Sequence, residues 1–250
     1  MPLNFLALSF LLLLAPGIVQ AGEYPNRPVR LVVPFPPGGG ADTLARVIGQ
    51  MLGERFTQQV VIDNRGGAGG LIGAEIVAKA IPDGYTLLLA TQSTHGTNPI
   101  LYKKLPYDPV ASFEAIVLLA SVPNVLVVHP SIAASGVKDL IALAKRRPGE
   151  LNYASVGAGS AQQLIAELFK SKAGIDVTHV PYKGTAPALN DLMSGQVQMM
   201  FTNLVTSTAH IKSGRLKALA VTSRKRTATA PDLPTVAEVI PDFEFASWYG

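Results

Sequence analysis

The chain contains no cysteine among its 250 residues. No disulfide can staple the fold, and no thiolate is available as nucleophile or metal ligand. Lipid attachment through an N-terminal cysteine is excluded as well. Charge is sparse: Asp, Glu, Lys and Arg make up 15% of the residues, with a formal net charge of +4. These side chains are scattered. The one dense basic cluster, Arg224-Lys225-Arg226, sits in a polar stretch without interleaved aromatics, so the footprint of a nucleic-acid binder is missing. The four histidines, His95, His129, His179 and His210, show no metal-ligand spacing. No G-x-S-x-G elbow and no P-loop occurs. The dinucleotide fingerprint fails at its third glycine three times, where Thr43, Gln162 and Ile72 stand instead. Catalytic, cofactor and metal sites are therefore not expected.

One long apolar run is present, Phe5–Val19. It is short for a bilayer span and broken at Pro16-Gly17. Val19-Gln20-Ala21 places small residues where a signal peptidase requires them, although Met1–Asn4 lacks the usual basic residue. The expectation is a cleaved export signal over 1–21, leaving a mature chain of one large or two small domains.

From Val29 onward, short β-rich runs alternate with helical patterns, which predicts an α/β fold of mainly parallel sheets covered by helices. Strands are expected at Val29–Val33, Val60–Asp63, Leu87–Ala90, Val117–Leu119, Val125–Val128, Asn152–Ala154, Thr178–Tyr182, Val197–Phe201 and Ala218–Thr222. Helices are expected between them, beginning with Ala41–Phe56. Ser121-Val122-Pro123-Asn124 interrupts the alternation, and Thr222–Pro234 could carry the chain back. The division expected is one lobe from 22–123 and 235–250, a second from 124–223, and a crossover at 224–234. The ending Ser247-Trp248-Tyr249-Gly250 lies inside an apolar run, which suggests a truncated first lobe.

Four glycine- or hydroxyl-rich turns fall at expected strand ends, where open α/β sheets bind ligands. They are Pro36–Asp42, Thr91–Asn98, Ser155–Ser160 and Lys183–Thr185. A glycine-rich strand-to-helix turn gathers bare N–H groups at the positive end of a helix dipole, which suits an anion. Asp42 reads as a loop brace or cap more than a ligand contact, and Thr185 as the cap of the helix that follows. His95 can contact ligand or brace its turn, whereas His129, His179 and His210 read as structural. The Asn64–Gly70 turn reads as close strand–helix packing.

Together Pro34–Asp42, Asn64–Gly70, Tyr153–Phe169 and His179–Gly195 resemble the substrate-binding proteins of tripartite tricarboxylate transporters, the Bug family. The resemblance covers Tyr24–Gly250. It implies a type II periplasmic binding protein: two α/β lobes, a hinge, and a small organic carboxylate held in the cleft between them. Carried onto this chain, the ligand-binding positions are Phe35, Gly38, Gly39, Gly40 and Asp42, then Thr94 and His95. The second lobe adds Ser155, Gly159, Ser160, Gln163, Tyr182, Lys183, Gly184 and Asn203. Gln163 stands where the family commonly has histidine. The implied partners are the ligand and the membrane subunits of the transporter. A sensor role, docking on a signalling receptor kinase, is the alternative. The resemblance implies a periplasmic monomer that needs no cofactor, metal or nucleic acid and is not an enzyme.

Overall fold

The computed structural model describes residues 23–250, so the export signal expected at 1–21 lies outside them. Strand β1 (Val29–Val33) runs parallel between β2 (Val60–Asn64) and β3 (Thr86–Leu88). Its alternating Leu31 and Val33 bury with Ala41 and Ala45 of helix α1 (Gly40–Phe56), and with Leu89 and Tyr249. Helix α1 opens on an extended Gly39 and stops at Thr57, whose left-handed φ of 52° ends the helical run. Helix α2 (Leu71–Ala78) follows a glycine-rich turn; Gly66 in the turn packs on Pro36, and Gly73 within the helix packs on Pro34. The expected turn over Thr91–Asn98 is instead helical from Gln92 onward, while Thr91 bridges to Tyr249. A wide turn over Ser93–Thr97 continues into α3 (Asn98–Leu101).

The second sheet contains β4 (Ala120–Val128), β5 (Asn152–Ser155), β6 (Thr178–Pro181), β7 (Met199–Asn203) and β8 (Lys217–Val221). Its order is β6-β5-β7-β4-β8. Strands β5, β6 and β7 are parallel, but β4 is antiparallel to β7 and β8, so this sheet is mixed where a mainly parallel one was expected. The two faces follow the period-two rule. Leu126, Val128, Met199 and Phe201 pack against α4 (Val137–Arg146) and α5 (Ala161–Ala173). Val125, Val127 and Met200 pack instead with Leu189 and Leu192 of α6 (Thr185–Met193), the face to which Leu204 and Ile211 of α7 (Leu204–Lys212) are added.

The strand expected at Val117–Leu119 is not formed; β4 begins at Ala120 and runs unbroken through Ser121-Val122-Pro123-Asn124 into the expected Val125–Val128. Its N-terminal half, Ala120–Pro123, pairs with β9 (Ala246–Tyr249), while Asn124–Val128 pairs with β7. Pro123 is tolerated because its segment has a neighbour on one side only. Beyond β9, Gly250 exchanges backbone hydrogen bonds with Ala90 next to β3, so β4 and β9 carry the chain between the sheets. Within the segment 235–250, Val236, Ile240 and Phe243 first bury in the second sheet's core, and pairing toward the first sheet begins at Ala246.

Candidate functional site

Both sheets present the C-terminal ends of parallel strands to one crevice. The first sheet contributes Phe35 and Pro36 after β1, then Gly39 and Gly40 opening α1. Thr91, Gln92 and Ser93 follow from the turn beyond β3. Across the crevice stand Val156 after β5, Ala161 and Gln162 opening α5, Gly184 and Thr185 opening α6, and Asn203 ahead of α7. Ser247, Trp248 and Tyr249 of β9 close one end.

The electrostatics of this lining come from dipoles alone. Asp, Glu, Lys, Arg and His are absent from it. Four helices start on it, and three of them, α1, α6 and α7, have no side-chain cap. Orphan N–H groups and the positive ends of the dipoles therefore gather around one space, which favours an anion without a formal charge to pair it. The two walls also touch. A Cβ on Gly39 would stand 3.1 Å from Thr185 Oγ1, and one on Gly40 would collide with the Asn203 amide.

Of the positions expected to bind ligand, Phe35, Gly39, Gly40, Gly184 and Asn203 line the crevice. Gly38 and Asp42 sit behind it. Gly38 holds a φ of 83° and its N–H donates to Asp42 Oδ2 at 3.0 Å, while Arg46 pairs with the same carboxylate at 3.0 Å. Burial would raise the Asp42 pKa, but hydrogen bonds from Arg46, Gly38 and Asn64 and the Arg46 charge outweigh it and hold the carboxyl below the ordinary range. Asp42 braces the loop.

Thr94 and His95 lie beneath the Thr91 turn. Thr94 Oγ1 accepts from the Thr91 N–H at 2.9 Å, and His95 Nδ1 meets that hydroxyl at 2.9 Å. The His95 ring packs on Phe113 with centroids 4.8 Å apart, and burial lowers its pKa. Ser160 caps α5, accepting from Gln163 N–H and donating to the Gly157 carbonyl at 2.7 Å. Ser155, Gly159 and Gln163 join the same loop framework behind the wall. The Tyr182 hydroxyl donates to Asp191 at 2.7 Å, and burial together with that carboxylate pushes its pKa to about 12. Lys183 is exposed outside the crevice. Thr185 is the first residue of α6 rather than its cap, because Gly184 at φ 153° occupies the cap position.

Sequence reasoning did not single out Thr91, Gln92, Val156, Gln162, Ser247, Trp248 or Tyr249 as contacts, yet all line the crevice. Thr91, Gln92 and Val156 lie inside turns that were recognised, and Gln162 follows one. The last three carried one usable sign, an aromatic pair among small residues. Tyr249 is buried, and its hydroxyl accepts from Asn203 Nδ2 at 2.9 Å, tying β9 to β7.

The family described as tripartite tricarboxylate transporter family receptor matches residues 44–250. The solved structure of Rpa4515 from R. palustris with adipate is 44% identical, with a TM-score of 0.88, and the match covers 90% of this chain and 76% of that one. Periplasmic binding protein BugD is 41% identical, with a TM-score of 0.86 and coverage of 91% and 76%. MatC from Rhodopseudomonas palustris with bound malate is 34% identical, with a TM-score of 0.85 and coverage of 91% and 78%.

Proposed function

The chain belongs to the tripartite tricarboxylate transporter receptors, a family of periplasmic solute-binding proteins of type II fold, and from that premise we propose that it captures a small dicarboxylate in the crevice between its sheets and delivers it to the membrane subunits of such a transporter. One observation carries the reading. The crevice joins uncapped helix N-termini from both sheets, and no charged side chain lines it. The starts of α1, α6 and α7 meet, Gly39 against Thr185 and Gly40 against Asn203, which suits one carboxylate group of the ligand. Phe35, Pro36, Val156 and Trp248 in the same lining suit the apolar chain that carries the second. Adipate and malate in structural neighbours belong to this chemical class.

The same lining makes chemistry on the ligand a poor fit. Its hydroxyls, on Thr91, Ser93, Thr185, Ser247 and Tyr249, have no imidazole, carboxylate or amine beside them within the crevice to act as base. Capture and release unchanged is the reading that fits. Titration calorimetry against mono-, di- and tricarboxylates tests it. Saturable binding of at least one dicarboxylate is expected, with the corresponding diamide failing to bind. A folded sample that binds none of them would overturn the proposal.

A further inference from the structure

The Val156–Ser160 loop supplies Val156 to the crevice and leads into Ala161 and Gln162, yet two of its residues, Gly157 and Gly159, hold positive φ values of 119° and 75°. Such a backbone does not fix its own shape. A chain of side chains behind it does. The Gly159 N–H donates to Gln163 Oε1 at 2.7 Å. A backbone donor thereby sets the Gln163 amide, and its Nε2 is turned toward His179 Nδ1, 3.5 Å away. The other ring nitrogen, His179 Nε2, lies 2.6 Å from Ser155 Oγ. Ser155 in turn accepts from the Gly157 N–H at 3.1 Å and donates to the Gly157 carbonyl at 3.2 Å.

Only one protonation state satisfies every member. The Gln163 amide, held by the Gly159 N–H, offers its N–H to Nδ1, so Nδ1 is bare and Nε2 carries the proton. Nε2 then donates to Ser155, whose own hydroxyl proton goes to the Gly157 carbonyl. We propose that His179, neutral and protonated on Nε2, is the positioning residue of the Val156–Ser160 loop, and that a second proton on Nδ1 loosens the loop and weakens ligand capture; this rests on the solute-binding reading. An Nδ1 proton would face the Gln163 NH₂ as donor against donor. Turning the amide over relieves that contact but sets NH₂ against the Gly159 N–H. In the first orientation the Gln163–His179 bond is lost and the loop's anchor is left without its brace; in the second the Gly159 N–H loses its acceptor and the loop itself is released.

The surroundings favour the neutral ring. Tyr153 stacks on it with centroids 4.8 Å apart and an interplanar angle of 16°. Burial, the largest influence, lowers the His179 pKa; Glu167 opposes this and Lys170 adds to it. Glu167 accepts from the Tyr153 hydroxyl and pairs with Lys170, which divides its charge between other partners. The loop also reaches the opposite wall. A Cβ on Gly69 would stand 2.9 Å from the Ala158 carbonyl, and one on Gly159 would stand 2.9 Å from Leu101. A loosened loop therefore disturbs both the ligand wall and the contact between the sheets. The sign follows: capture is strongest above the His179 pKa and falls as the pH drops through it.

Nitrogen-15 spectroscopy of the His179 ring is the direct test and needs no ligand. The neutral ring is expected as the Nε2–H tautomer, with a midpoint below 6.5. The Gly157 and Gly159 amide signals should move with that midpoint and stop titrating in His179→Gln, which keeps a donor near Ser155 but cannot take up the proton. Adipate is the binding probe, compared between parent and His179→Gln so that ligand ionisation cancels. Between pH 8 and pH 5 the parent should lose about three- to tenfold more affinity than the variant, the scale of one hydrogen bond. His179→Phe, which keeps the stack on Tyr153 but neither nitrogen, should bind weakly at every pH. A neutral Nδ1–H tautomer, glycine amides that ignore the His179 titration, or full affinity in a folded His179→Phe would overturn the proposal. Absence of carboxylate binding would instead count against the solute-binding reading, and the ring spectroscopy would still decide the positioning role.

Discussion

Gly40 is required by what approaches it. A methyl group there would collide with the Asn203 amide and stand 3.1 Å from the Tyr249 hydroxyl. Gly40 and Asn203 belong to different sheets, so the collision is relieved by moving the sheets apart, and alanine is otherwise the better helix former by roughly 1 kcal/mol. Gly40→Ala is therefore expected to weaken carboxylate binding at least tenfold while leaving the unliganded melting temperature within a few degrees; calorimetry and thermal melts on one sample check both. Asp42 answers to stability instead. Its folded pKa lies below the unfolded value of about 3.9, so its contribution is complete above that pH and is lost as the pH falls through the folded value. Asp42→Asn should cost about 1–3 kcal/mol at pH 7 by weakening the bonds from Gly38 and Arg46. The difference from the parent should shrink below pH 4 in urea melts, and a constant difference at all pH values would refute the assignment.

At the scale of elements, a buried hydroxyl ties the two crossings between sheets together alongside the backbone hydrogen bonds of Thr222 to Asn124 and Phe245. Thr222 Oγ1 accepts the buried Asn124 N–H of β4 at 2.9 Å and donates to the Phe245 carbonyl, just before β9, at 2.7 Å. Asn124 Nδ2 adds a bond to Ser247 at 2.9 Å. Thr222→Val keeps the shape but strands both backbone partners, which should cost about 2–4 kcal/mol in urea unfolding. A loss under 1 kcal/mol would show that the crossing does not depend on this hydroxyl. The same region explains what the sequence could and could not reveal. Strand–turn–helix units such as β1 with α1 were legible because apolar alternation and the glycine turn lie within one short window. Strand β4 was not, because Pro123 reads as a break, and its partner β9 lies more than 100 residues further along the chain. The site divided in the same way. Gly39, Gly40 and Gly184 were visible from their turns, while Trp248 and Tyr249 enter the crevice only through a long-range pairing that local pattern does not encode. Polar residues at strand ends also proved ambiguous: Ser160, Gln163 and Thr94 have the chemistry of ligand contacts but direct it to their own loops.

For the whole molecule, the binding site exists only when both sheets contribute their helix ends, so ligand and fold are linked. The crevice wall contains α1 from one sheet and α5, α6 and α7 from the other, while the peptide crossings between them are few. A ligand that bridges the walls binds the folded, apposed state and not the unfolded chain. At a ligand concentration 100 times Kd this linkage contributes about 2.7 kcal/mol. For a chain of 150–250 residues each kcal/mol moves the melting temperature by about 2–4 °C, so saturation should raise it by roughly 5–11 °C. The lining has no charged side chain, and its short-range dipoles act in a partly enclosed space, where salt screens weakly. Raising salt from about 0.05 to 0.5 M should therefore change Kd less than about threefold, whereas a site built on exposed lysines would lose far more. Thermal scans with adipate at both salt concentrations read the two quantities together. A ligand-induced rise that disappears in high salt would place the anion on surface charge and remove the helix N-termini from its recognition.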